Sequence, residues 1–384
     1  MGEVRIVNIA EVEAIAASFP LPQDQQVEMS VGKVVKRDVV VVKVTTDDGI
    51  VGYGESHHGR SPTAVADFVN TTLRALVLGR DAFDTVGIWK WVERKQLGSH
   101  GMGATACFGL SGLDIALWDI KGKALGAPIY KLLGGNARPI PAYAGGIALG
   151  YQEPEALLRE LRPMIAAGYG AVKLRLGQNF RADSGRVLAV RKAFDEVAIL
   201  TDANTGYKLA DVRRIMPVLE ESRVDWLEEP FPSYDFASYR EARSYGNVPL
   251  ACGENHYTRH EFLRLLEDGV VRVFQPDVSK TGGITEIVRI AALASPHSIS
   301  INPHTSTSIL NMLASVHVLC AIENGGYYEG EGSKANPFRD DLGNRRLLVD
   351  SNGCVSPFDG PGLGIEIDEA VLRRHPVIPG PAYV

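Results

Sequence analysis

The sequence predicts an α/β fold: a barrel of eight parallel strands and seven helices, preceded by a smaller α+β domain and followed by a returning tail. Three observations carry this expectation. From residue 140 onward, short apolar runs alternate with helical stretches. Ionisable residues close those runs at nearly constant intervals. Before residue 135 the order is different, strands first and helices after. At 384 residues the chain is long for one core, and two domains are the default for that length. The expected division is 1–135 for a capping domain, 136–345 for the barrel and 346–384 for a tail that packs back on the capping domain.

Residues about 3–54 read as strands: VRIVNIAEVEAI, then after a polar gap RDVVVVKVTT and GIVGYGE, the last two joined at Asp48-Gly49. An Asp-Gly pair between apolar runs is a strong hairpin signal. Helical periodicity follows in TAVADFVNTTLRALVLG, VGIWKWVERKQ and TACFGLSGLDIALWDIKGKALG. In the last, Leu110, Leu113 and Leu117 recur at helical spacing and Gly126 stands just past the expected end. The stretch GAPIYKLLGGNARP marks the boundary. Beyond it the expected strands are IPAYA (140–144), AVKLRL (171–176), AILTDA (198–203), VDWLEE (224–229), VPLACGE (248–254), VVRVFQPD (270–277), SISINPH (298–304) and GYYEG (326–330). Such alternation also suits an open doubly wound sheet. Against that, no glycine-rich phosphate fingerprint follows the first strand, and polar strand ends continue all the way round.

Composition excludes several function classes. The 40 basic and 46 acidic residues give a formal charge of −6 without long like-charge runs, so neither nucleic acid nor a membrane surface is an expected partner. No apolar stretch is long enough to cross a bilayer. The opening MGEVRIVNIAEV carries acidic residues where a signal peptide needs basic ones. Ile6 stands where a myristoylation signal needs Ser or Thr. Cys107, Cys252, Cys320 and Cys354 are scattered with no CxxC, so reduced thiols and a cytoplasmic location are expected.

Asp202, Glu228 and Glu254 follow one another at intervals of 26 residues. One strand, one helix and two loops of an α/β barrel consume roughly that many residues. Three carboxylates delivered to the same end of consecutive parallel strands would face one another across the mouth, and they cannot all stay ionised there without a cation. An all-oxygen set selects a hard divalent ion, Mg²⁺ with Mn²⁺ as a substitute. Nearly the same interval continues to Asp277, His304 and Glu329, and one unit before Asp202 stand Lys173 and Arg175. A lone strand-end charge is usually just solvated; seven strands ending this way in register make that explanation inadequate.

The segments VKLRLG, LTDANTG, WLEEP, GENH, QPDVSKTGG and NPH resemble the motifs of the enolase superfamily, in its mandelate racemase subgroup, over essentially the whole chain. The resemblance implies a (β/α)₇β TIM-like barrel with an N-terminal capping domain. It implies Asp202, Glu228 and Glu254 as Mg²⁺ ligands, with Glu229 of the EEP motif pointing the other way. It implies Asp277 and His304 as an Asp–His dyad and Lys173 as the first lysine of a KxK motif. Glu329 would hydrogen-bond a substrate carboxylate oxygen; kept protonated by surrounding negative charge, it could donate to the developing oxyanion. In such enzymes the loops near residues 20–33 and after GYGES cover the barrel mouth. His57, His58 and Arg60 lie on the second of these, and Arg60 could pair a distal carboxylate or do nothing. Asn204 is expected to face the metal's water shell, and His256 either to reach substrate or to be solvated.

One departure from the family pattern matters. The second lysine of KxK is Arg175 here, and arginine does not serve readily as a base near neutrality. Racemisation needs a base on each face of the substrate. The simpler reading is one-sided: His304 removes the α-proton of an acid sugar (aldonate or aldarate) and returns it to a departing β-hydroxyl, giving a 2-keto-3-deoxy acid. Anti elimination shared between Lys173 and His304 reaches the same product. The alternatives are a racemase, epimerase or lactone cycloisomerase using the same enediolate, and a non-catalytic barrel relative. The resemblance also implies a homo-oligomer.

Overall fold

The computed structural model describes residues 6–100 and 103–384; Val4 and Arg5, in the expected first strand, lie outside them. The N-terminal domain is built on a three-stranded antiparallel sheet in which β4 (Lys36–Thr46) lies between β1 (Ile9–Pro20) and β5 (Val51–Ser56). The β4–β5 hairpin turns at Asp48-Gly49, where Gly49 takes φ +86 and Thr46 N donates to Ile50 O at 2.9 Å. The valine run of β4 is continuous because both faces are covered. Val40, Val42 and Val44 pack with the helices of the capping domain, and Val39 and Val41 join the core shared with the barrel. Helix Ala104–Leu125 lies on β5 so closely that a Cβ at Gly52 would stand 2.2 Å from Ala116 O. The two glycines of VGYGE are therefore a packing requirement. The polar gap before β4 hides a further hairpin, β2 (Val27–Met29) and β3 (Gly32–Val34).

Eight strands form the barrel: β6 (Ile140–Gly145), β7 (Ala171–Arg175), β8 (Ala198–Asp202), β9 (Val224–Glu228), β10 (Leu250–Cys252), β11 (Val271–Phe274), β12 (Ser300–Ile301) and β13 (Tyr328–Glu331). They run parallel in that order, with β13 returning to pair with β6. Closure between β12 and the approach to β13 comes from Ile301 N donating to Asn324 O and Gly326 N donating to Ile301 O, both at 2.9 Å. The helices between them are Pro154–Ala166, Phe180–Ala193, Leu209–Glu221, Phe236–Ala242, Thr258–Asp268, Gly283–Ala294 and Ile309–Leu319. Period-two alternation separates two surfaces along each strand. Val172, Leu174, Ile199 and Leu227 join the large core shared with the helices. Tyr143, Ala171, Leu200, Trp226, Ala251 and Val273 form a separate cluster inside the barrel. Lys173, Asp202 and Glu228 follow Ala171, Leu200 and Trp226 by two residues and so continue the inward face toward the C-terminal mouth. Several strands are shorter than expected, leaving Glu254, Asp277 and His304 just beyond β10, β11 and β12.

The tail returns past both domains. Its strand β14 (Cys354–Val355) pairs antiparallel with β6. Farther on, Ser18 N donates to His375 O, Val35 N to Ala382 O and Lys33 N to Val384 O. Among the described residues, no helix is long and apolar enough to cross a membrane.

Candidate active site

The barrel mouth holds a cavity of about 300 Å³. Strand register gathers the acidic residues at this end of the barrel: Arg175 stands opposite Asp202, Asp202 opposite Glu228, and Glu228 opposite Ala251, three residues before Glu254. Glu254 lines the cavity, whereas Asp202 and Glu228 are buried and do not reach its wall. Beyond β11 and β12, Asp277 and His304 form an isolated parallel bridge. Two pieces of the first domain close the top. Ser30, at the β2–β3 turn, donates from Oγ to Ala203 O at 2.9 Å and Asn204 O at 2.7 Å. His57 N, after β5, donates to Ser279 O at 3.0 Å.

The dyad is the most completely specified part of the site. Asp277 is fully buried and accepts from Ser279 N (2.7 Å), Ser279 Oγ (2.7 Å), Ser306 Oγ (2.6 Å) and Asn311 Nδ2 (2.8 Å). Burial would raise its pKa, but the His304 bond and charge, with Lys280 and Ser306, hold it below the usual carboxylate value. The carboxylate is therefore ionised, and His304 Nδ1, 2.7 Å away, is the donor. This leaves Nε2 as the working nitrogen, at present 2.9 Å from Glu254 Oε2. Burial would lower the His304 pKa; Glu254, Glu329 and the Asp277 bond outweigh it and hold the ring well above its ordinary value.

Among the described residues, no three His, Cys, Asp or Glu side chains converge closely enough to hold a metal ion. Each carboxylate of the expected cage is instead met by a cation or amide. Asp202 bonds Arg175, which also donates to Gly146 O. Glu228 accepts from Lys173 Nζ at 2.9 Å and Gln275 Nε2 at 2.7 Å. Glu254 meets His304, Asn255 Nδ2 at 3.1 Å and Lys280 Nζ at 3.5 Å. The donor chemistry nonetheless fits a hard dication. All three groups are carboxylates at one end of neighbouring strands, and burial followed by Asp202 pushes Glu228 up to about 7, the crowding that a cation relieves. Glu229 Oε1, buried at the cavity wall, has no hydrogen-bond partner among the described residues.

Glu229 also corrects an expectation. It was to point away by strand alternation, yet it lines the cavity. Strand β9 ends at Glu228, and Glu229 takes φ +35, so the pleat no longer dictates its side. Glu329 corrects another. Burial would raise its pKa, but Lys173, His304 and Arg175 bring it down to about 2. It accepts from Lys173 Nζ (2.9 Å), Gly146 N (3.0 Å) and Thr305 N (3.1 Å). It is an ionised acceptor, not a protonated donor.

Lys173 and Arg175 share the inward face but differ in access. Lys173 is 0% exposed beneath the cavity, held by Glu228 and Glu329, with Asp202 at 3.6 Å. Arg175 is part of the wall, as are His57, Arg60 and Asn204. Asn204 donates to Asp202 Oδ2 at 3.1 Å and accepts from Arg175 at 3.2 Å. His256 is not part of the wall; its buried ring packs near Phe236 and Phe262, because the chain turns inward after Glu254. Lys280, Asn255, Gln275, Arg37, Glu331 and Tyr383 were missed. Lys280 alone left a trace, three residues after Asp277 in QPDVSKTGG.

The chain matches the family described as "Enolase C-terminal domain-like" over residues 156–371. It matches the "Mandelate racemase / muconate lactonizing enzyme, N-terminal domain" over residues 12–134. It is 33% identical over 345 residues to the arabinonate dehydratase of Saccharolobus solfataricus, covering 88% of this chain and 90% of that protein. A solved member of the enolase superfamily from Polaromonas sp. JS666 superposes with a TM-score of 0.95 at 52% identity, covering 98% of this chain and 100% of the other. A racemase from Streptomyces coelicolor A3(2), solved with bound magnesium, superposes with a TM-score of 0.86 at 29% identity, covering 96% and 100%.

Proposed function

We propose, for a chain that belongs to the mandelate racemase / muconate lactonizing enzyme family of the enolase superfamily, the dehydration of an acid sugar to a 2-keto-3-deoxy acid. A proton beside a carboxylate is a very weak acid, because its removal adds a second negative charge to the same group. A hard divalent ion, Mg²⁺ with Mn²⁺ as a substitute, would be held by Asp202, Glu228 and Glu254 and would supply the positive field that the resulting enediolate needs. The observation that carries the reading is the asymmetry of the walls. His304 is an imidazole anchored through Nδ1 by an ionised Asp277. At the other side stands Arg175, which does not give up its proton near neutrality, while Lys173 lies buried beneath.

With Glu254 neutralised by the cation it would hold, the ring loses the strongest of the charges that keep it protonated; neutral His304 Nε2 takes the α-proton and gives it to the β-hydroxyl as that group leaves. The enol then collapses to the keto acid. Glu329, fixed as an ionised acceptor between Lys173 and Thr305, orients Lys173 under the site. A racemase, epimerase or lactone cycloisomerase is the second reading. It is favoured by the magnesium-bound racemase among the structural relatives and by Lys173 sharing the inward face with Arg175. A non-catalytic barrel has no use for a buried dyad with five donors on one carboxylate. The partners proposed are a small hydroxy acid and further copies of this chain in the cytoplasm, with no nucleic acid, given a formal charge of −6.

The test is a library of aldonates and aldarates incubated with purified protein and Mg²⁺, read with semicarbazide. A 2-keto acid semicarbazone from at least one substrate is expected. Consumption of substrate to an epimer or lactone product, without keto acid, would transfer the assignment to the second reading.

A further inference from the structure

Beside the apolar Met29 and Val31, the capping domain contributes Arg37, His57, His58 and Arg60 to the wall of the cavity. The rings of His57 and His58 are stacked with centroids 4.3 Å apart. Gly59 N donates to His57 Nδ1 and Arg60 N donates to His58 Nδ1, each at 3.0 Å. An imidazole that accepts at Nδ1 carries its proton at Nε2, so each ring offers one N–H and no further acceptor. Burial, then Lys280, keeps both rings neutral, His58 at about 3. Beside them Arg60 offers a guanidinium, again donors only. It lies 4.2 Å over the ring of Tyr383, and no carboxylate stands within ion-pair distance of it among the described residues. Glu331, which also lines the cavity, is already engaged by Arg37 at 2.9 Å, Arg339 at 3.1 Å and the Ser333 and Asn336 side chains. A sugar hydroxyl both donates and accepts, whereas a carboxylate only accepts. Two neutral N–H groups and one uncompensated cation therefore match a carboxylate.

We propose that the substrate is a dicarboxylate: its reacting end lies by His304, and its distal carboxylate is bound by His57, His58 and Arg60. This rests on the acid-sugar reading above and narrows it to diacids. Tyr383 is the positioning residue. It reaches the cavity because the tail adds a strand-like edge to the β2–β3 hairpin: Val34 bridges Tyr383, and Lys33 and Val384 exchange hydrogen bonds of 2.7 and 2.9 Å. The aromatic face then holds the guanidinium 4.2 Å above its centre, a cation–π arrangement.

Titration calorimetry of the Mg²⁺-loaded protein with adipate and with 6-hydroxyhexanoate, equal in length and differing in one terminal charge, reads this subsite without turnover. Adipate is expected to bind about 10- to 100-fold more tightly, the scale of a charge-assisted hydrogen-bond set. Arg60→Gln should erase that preference and leave 6-hydroxyhexanoate unchanged. Tyr383→Leu should reduce the preference several-fold, and Tyr383→Phe should restore it. On a reactive diacid the Arg60 loss should appear in KM more than in kcat. Equal affinity of the native protein for the two ligands, or an equal loss of both in Arg60→Gln, overturns the inference. Keto acid formed only from monoacids also overturns it, while the acid-sugar reading stands. An adipate preference that depends on Arg60, with no acid sugar dehydrated, would leave the subsite and remove the function.

Discussion

Replacing His304 with Asn separates chemistry from stability, and the structure sets the size of each effect. The imidazole supplies one of five donors to Asp277; Ser279 N, Ser279 Oγ, Ser306 Oγ and Asn311 Nδ2 remain, at 2.6–2.8 Å. The buried carboxylate is thus still satisfied, and losing one charge-assisted bond costs about 1.5–3 kcal/mol of stability. Asn has no basic nitrogen, so the proton transfer loses its agent. General acid–base catalysis contributes about 10²–10⁴-fold, or roughly 2.7–5.4 kcal/mol of barrier at 1.36 kcal/mol per decade. The variant should therefore fold, melt a few degrees lower, retain Mg²⁺ affinity to within a small factor and lose at least about 10²-fold in kcat. Semicarbazide detection of product, circular dichroism and metal titration give the three readouts. Near-normal kcat in a folded His304→Asn protein would refute the role of the imidazole. Loss of the fold would refute the argument that Asp277 is over-supplied with donors.

Three further outcomes follow from the same geometry. Glu228→Gln keeps the shape that accepts from Lys173 and Gln275 but removes a charge, so the Kd for Mg²⁺ should rise by at least about tenfold; an unchanged Kd strikes Glu228 from the ligand set. Mg²⁺ affinity should depend on pH: Glu228 sits at about 7 against an ordinary 4.5, and a protonated carboxyl cannot ligate. Below pH 7 a proton must leave Glu228, so that group alone makes affinity rise with pH by up to about tenfold per unit, and its contribution flattens above. His304 adds in the same direction, because a cation on Glu254 removes one charge that keeps the ring protonated. Calorimetry in two buffers of different ionisation enthalpy counts those protons, and no release below pH 7 contradicts the account. Arg175→Lys places a titratable amine in the wall, and exchange with inversion at C2 should become detectable by NMR. Arg175→Gln should show none.

The legibility of the site in the sequence has a plain cause. A βα unit has nearly constant length, so Asp202, Glu228, Glu254, Asp277, His304 and Glu329 could be placed at one end of a barrel by counting. Lys173 and Arg175 could be assigned a shared face because β7 is regular through Arg175. Counting fails where the strand does. Glu229 is one residue past β9 with positive φ, and no periodicity says on which side it falls. His256 turns into an apolar pocket for the same reason. The ionisation of Glu329 depends on Lys173 and Arg175 from β7 and His304 from beyond β12, and is decided by their distances. Tyr383 was out of reach altogether, since its place comes from pairing with a three-residue strand that reads as a polar gap. The tail's return to the first domain was expected from its strand-and-turn character, but not its arrival at the cavity.

Deuterium at C2 tests the central assignment, one imidazole facing the α-carbon and no base opposite, most directly. Turnover of an acid-sugar substrate is stopped part-way in D₂O, and the recovered substrate is examined by NMR for label and configuration. The account predicts that any label at C2 sits in the original configuration and that it disappears in His304→Asn. Labelled substrate of inverted C2 configuration from the native protein would contradict it, because a proton must then have arrived from the side that Arg175 occupies.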